Sequence, residues 1–159
     1  MNFKYNMSPA DLGIDISHDA EIRWCLGYAA RRSQKQSRRE FAASLLSQFG
    51  QWSDKQSRFA NAIWISHVYQ WRMFVAEECR TRSVVKFIAD VGVDAATAYA
   101  DSLRADADVL RGMVHDGKEY ADSHDRYSDR YWNSIQYCAD QKCEIADRIT
   151  RLAANGVAA

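Results

Sequence analysis

Between Arg31 and Arg39 the chain places five cations in nine residues, Arg31, Arg32, Lys35, Arg38 and Arg39 in the run RRSQKQSRR. Arg23, Trp24 and Tyr28 precede them, and Lys55 and Arg58 follow at the start of the next helical stretch. Lys and Arg at this density bind phosphate with salt-dependent affinity, and neighbouring aromatic rings stack on bases. The expectation for the five, together with Lys55 and Arg58, is DNA or RNA binding. Histidine supplies a second kind of chemistry: His18, His115 and His124 are each followed by Asp, setting side by side two residue types that ligate metals. Farther on, Asp122, Asp125 and Asp129 share one helical face, which suits a basic protein partner or a divalent cation. The chain has no Gly-rich phosphate loop, no Ser nucleophile elbow and no Cys-x-x-Cys pair. It is therefore read as non-enzymatic, with no cofactor and no resident metal.

The elements that must position these groups are helices. One Pro and seven Gly in 159 residues leave little turn chemistry for a β protein. Residues 1–18 read as irregular, with a short turn at Ser8-Pro9-Ala10-Asp11. Ser17 or Asp19 caps a first helix from Ala20 to about Gln34, striped by Ile22, Cys25, Leu26 and Ala29, with Trp24 and Tyr28 on a different face. Ser37 with Glu40 forms a capping box for a second helix, ended by Gly50. Ser53 with Gln56 forms another, opening a long helix over 53–82. At 100° per residue this helix carries two apolar arcs, Trp64, Val68, Trp71 and Val75 on one and Ala62, Ile65, Tyr69, Met73 and Ala76 on the other. Asn61 and Arg72 form its thin polar seam. Such a helix lies centrally or completes its burial in a homodimer, with Trp64, Val68, Trp71 and Val75 as the expected interface. A short helix over SVVKFIADVG ends at Gly92; another starts at Asp94; a turn falls at Asp116-Gly117; and a final helix runs from about Lys118 to Ala153. A short turn makes the last two antiparallel neighbours. The expected fold is an all-α, single-domain bundle over 1–159, with five or six helices around the long central one.

A net charge of zero argues against a strongly basic nucleic-acid binder as a whole, but the halves differ. Through Ser83 there are twelve Lys and Arg against eight Asp and Glu; from Val84 onward, nine against thirteen. Cys25, Cys79, Cys138 and Cys143 follow no secretory signal, so reduced thiols in the cytoplasm are expected. On a helix Cys138 and Cys143 stand about 140° apart, too far round for a shared metal. No run of 18 apolar residues is present, so no membrane span is expected.

Two resemblances follow. The His-Asp pairs are similar to the dyad of HD-type metal-dependent phosphohydrolases, with His67, His115-Asp116 and Asp140 in the ligand parts. That dyad must lie within a helix, whereas Asp116 reads as a turn residue beside Gly117. Residues 40–65 resemble the L-S-x-K-Q helix pair of small phage and mobile-element accessory proteins, through Phe41, Ser44, Leu45, Gln48, Ser53, Lys55 and Gln56, with Trp52 in place of a Leu. This implies a phage-type origin, hence a bacterial host cytoplasm, and an accessory role in DNA transactions. The competing expectation is a protein-binding inhibitor or assembly factor of the host-takeover or anti-defence type, using the aromatic arc and Asp122, Asp125 and Asp129.

Overall fold

The computed structural model describes residues 7–48, 51–120 and 126–156, with side chains described for all of these except 117–120 and 126–128. The described residues form five α-helices, α1 (His18–Arg32), α2 (Gln36–Ser47), α3 (Asp54–Val91), α4 (Val93–Tyr120) and α5 (Arg126–Ala154), after a short 3-10 turn at Ala10–Leu12. The all-α expectation holds. By packing, the chain divides into two compact units, Met7–Arg80 and the part from Thr81 onward, and α3 contributes to both.

In the first unit, Ser17 caps α1, its hydroxyl accepting from the Ala20 N–H at 3.3 Å. The stripe read from sequence is the one that is buried: Ile22, Cys25, Leu26 and Ala29 meet Ala42 and Leu45 of α2 and Ala60, Ile63 and Trp71 of α3. Leu26, Leu45 and Ile63 are fully enclosed, each burial contributing about 1.5–3 kcal/mol. Trp24 stacks on Tyr28 with ring centroids 5.3 Å apart and also meets Trp71 and Phe74. The capping box before α3 is present: the Ser53 N–H donates to Gln56 Oε1 at 2.9 Å and the Gln56 N–H to Ser53 Oγ at 3.4 Å. The box expected at Ser37 and Glu40 is not. α2 begins two residues earlier on Lys35, which supplies no cap, and Glu40 instead accepts from Gln36 Nε2 at 2.7 Å.

In the second unit, the end of α3 (Val84, Phe87, Ile88) packs with Ala96, Ala100 and Leu103 of α4 and Ala146, Ile149 and Leu152 of α5. No break occurs at Arg82. The polar-looking run CRTRS hides a stripe, because Cys79 and Ser83 are buried one turn apart and Val84 and Ile88 extend it. Gly92 ends the helix in a left-handed conformation (φ 85°) that its lack of a Cβ permits, and its N–H donates to the Ile88 carbonyl at 2.8 Å. The turn expected at Asp116-Gly117 is also absent, since α4 continues to Tyr120 and α5 starts at Arg126 rather than Lys118. One Gly inside a helix weakens it by about 1 kcal/mol without ending it.

α4 and α5 run antiparallel. Arg104 Nη2 meets Asp147 and Thr150 at 3.0 and 2.9 Å, Lys142 meets Asp106 at 2.8 Å, and Arg111 meets Asp140 at 3.2 Å. Four alanines of the pair, Ala100, Ala107, Ala139 and Ala146, are fully enclosed. Arg148 is 8 % exposed and reaches Thr81 Oγ1 at 3.1 Å and Glu144 at 3.4 Å. Among the described residues no helix is long and apolar enough to cross a membrane.

Candidate nucleic-acid interface

The cationic run forms the junction between α1 and α2. α1 closes with the Ser33 N–H donating to the Ala29 carbonyl at 3.0 Å, and two residues later α2 opens on Lys35. Because a lysine offers no oxygen as a cap, the leading N–H groups of α2 lack a side-chain acceptor at the positive end of the helix dipole. Anions favour such an end. Arg39 braces the connector itself, its Nη1 donating to the Ser33 carbonyl at 2.8 Å and reaching the Gln34 carbonyl at 3.4 Å. Arg31, Arg32 and Lys35 are exposed, as are Lys55 and Arg58 at the start of α3. Among the described residues, no carboxylate pairs with any of these five.

Arg38 turns inward. Its Nη2 donates to Ser66 Oγ of α3 at 3.4 Å, while its Nε–H is buried without a partner. A buried donor left unmade costs about 1–3 kcal/mol, so an incoming oxygen is favoured there. Two cavities share Lys35 and Arg38 as lining. One, of about 370 Å³, lies against the connector with Arg32 and His67; the other, of about 700 Å³, opens between α2 and α3 over Phe41, Phe59, Ala62 and Ile63. Burial, then the nearby Arg38 charge, holds the His67 pKa below its usual value, so at neutral pH the ring is an uncharged neighbour. Tyr28 packs 5.1 Å from it.

The structure thus gathers Arg32, Lys35 and Arg38 around shared cavities, with Arg31 on the preceding turn, and gives Arg39 to the connector. Ser66, which orients Arg38, carried no signal in sequence because it sits 28 residues away. The residues expected at a protein interface take different places. Trp71 is only 7 % exposed, Trp64 and Val75 pack against the first core, and Val68 is half-buried. That arc meets α1, since the Ile22–Ala29 stripe needs an apolar partner. The other arc faces solvent: Ile65 and Tyr69 are each 68 % exposed and Met73 is 51 % exposed. Asp129 is exposed; Asp122 and Asp125 lie outside the described residues.

The metal-ligand parts do not assemble into a centre among the described residues. His115 and Asp116 are exposed neighbours 3.4 Å apart on α4, and Asp140 is engaged by Arg111 and Gln136. No protein-family model, curated protein or solved structure matches the chain.

Proposed function

We propose that the chain is a non-enzymatic accessory protein that binds nucleic acid through the α1–α2 junction. The observation that carries this reading is the set of exposed cations, Arg31, Arg32 and Lys35, standing without carboxylate partners beside the inward-turned Arg38. Neutralising about four phosphates gives log K against log salt a slope of roughly −3 to −4. A mobility-shift series from low to physiological salt measures it. Arg31/Arg32/Arg38→Ala should abolish the shift and flatten the slope; no shift of any oligonucleotide at low salt refutes the reading.

A second reading, a protein-binding inhibitor or assembly factor, draws on the exposed Ile65, Tyr69 and Met73. Apolar side chains in one exposed row mark contact surfaces more often than isolated ones do. It predicts a partner complex recovered by pull-down that Met73→Asp disrupts and Arg31/Arg32→Ala leaves intact.

A further inference from the structure

The larger cavity differs in kind from a phosphate site. Its floor is aromatic and aliphatic, with Phe41 and Phe59 edge to face at 4.5 Å and Ile63 beneath, and its rim carries Lys35 and Arg38. Its volume, about 700 Å³, falls among pockets that enclose small organic groups. Along α3 the apolar surface continues from Ala62 to Ile65, Tyr69 and Met73, spaced three to four residues apart. Between Arg31 and Met73 the chain carries eight Lys and Arg against two Asp and Glu. A ligand that covers all of this needs regularly spaced negative charge and flat apolar groups side by side.

We infer that the cleft between α2 and α3 takes unstacked bases of a single-stranded nucleic acid, with Tyr69 as an exposed stacking platform and the phosphates on Arg32, Lys35 and Arg38. The inference rests on the nucleic-acid reading above and specifies its ligand. A duplex hides its base faces and presents mainly phosphate and groove edges. It would satisfy the cations and leave the apolar floor uncovered. A single strand offers phosphates and base faces together, the combination that aromatic clefts beside cations bind. An acidic amphipathic helix from a partner protein also joins charge to apolar surface. Its carboxylates are sparser than one per residue, and the eight-to-two imbalance favours the nucleic acid.

The test is fluorescence anisotropy with a labelled mixed-sequence oligonucleotide, single-stranded and as its duplex, at matched salt. Tyr69 is 68 % exposed, so Tyr69→Ala leaves the core untouched. The expected results are tighter binding of the single strand, about tenfold weaker single-strand binding in Tyr69→Ala with an unchanged salt slope, retention in Tyr69→Trp, and no change for the duplex. Phe59→Leu, which keeps the floor apolar but removes a ring, should act in the same direction. Equal affinity for single strand and duplex, with Tyr69→Ala silent, overturns the inference and leaves the nucleic-acid reading standing. Failure of both ligands at low salt removes that reading itself. An acidic helical peptide that binds in a Tyr69-dependent manner, while the oligonucleotide ignores Tyr69, overturns the inference in favour of a protein groove.

Discussion

The two units use arginine in opposite ways. From Thr81 onward five cations meet carboxylates: Arg104 with Asp101 and Asp147, Arg111 with Asp108 and Asp140, Lys86 with Asp90, Lys142 with Asp106 and Arg148 with Glu144. Between Met7 and Arg80 the cations of the α1–α2 junction and of the α3 start stand without carboxylates. The net charge of zero conceals this difference, because acids and bases are matched in number and not in place. The second unit directs these charges to its own helices; in the first, Arg31, Arg32 and Lys35 stay exposed.

Cysteine chemistry offers the largest test of that contrast. Burial, with a smaller contribution from Glu21, pushes the Cys25 thiol up to about 11, and Cys79 is also buried. Cys138 is exposed and Cys143 half-buried. Thiolate is the reacting form, so a raised pKa alone slows Cys25 by roughly a hundredfold against an ordinary thiol. Alkylation of native protein at pH 8, followed by peptide mass mapping, should mark Cys138 first and Cys143 next, with Cys25 and Cys79 labelled only in denaturant. Early labelling of Cys25 would show that the first core is open.

Removing cations should then separate the units by stability. Arg148→Ala removes a buried guanidinium together with its bonds to Thr81 and Glu144 and should cost about 2 kcal/mol in chemical denaturation. Arg104→Ala removes more exposed pairs and should cost at most about 1 kcal/mol. Arg31/Arg32→Ala should stay within about 0.5 kcal/mol of the parent while weakening nucleic-acid binding. A large loss of stability in Arg31/Arg32→Ala would mean that the junction cations are structural after all, and the contrast would collapse.

The smallest effect is pH-dependent. Because His67 is depressed in the folded state, the unfolded chain binds more protons below the ordinary histidine value of 6.5. Its contribution is present above that pH and is lost as pH falls through the folded value. Denaturation midpoints measured down from pH 7.5 should drop, and His67→Gln should shrink the drop. Arg38→Ala should shrink it less, since burial outweighs the arginine charge. An unchanged slope in His67→Gln would remove His67 as its source.

The helical class was legible from scarce Pro and Gly, and the start of α3 from Ser53 and Gln56, because both are local signals. Four features were not. The run CRTRS looks like a helix end, yet tertiary burial of Cys79 and Ser83 carries α3 through it. Asp116-Gly117 permits a turn without forcing one, and helix packing won. The two apolar arcs were visible on the wheel, but a wheel cannot say which arc meets α1. That depended on where the Ile22–Ala29 stripe came to rest. The basic run was legible as a run; Arg38 turning in towards Ser66 depended on α3 packing beside α2.

The alanine-lined seam of α4 and α5 has its own consequence. Small side chains make a smooth contact, and a smooth contact does not fix how far one helix has slid along the other. Register must then come from the rim. Slide α5 one turn and Arg104 comes opposite Arg151; slide it one turn the other way and it comes opposite Cys143, with Arg111 facing Gln136 in place of Asp140. Both alternatives forfeit the pairs that the observed alignment makes. Modest as each exposed ion pair is in stability, together they act as a vernier on an otherwise unmarked scale.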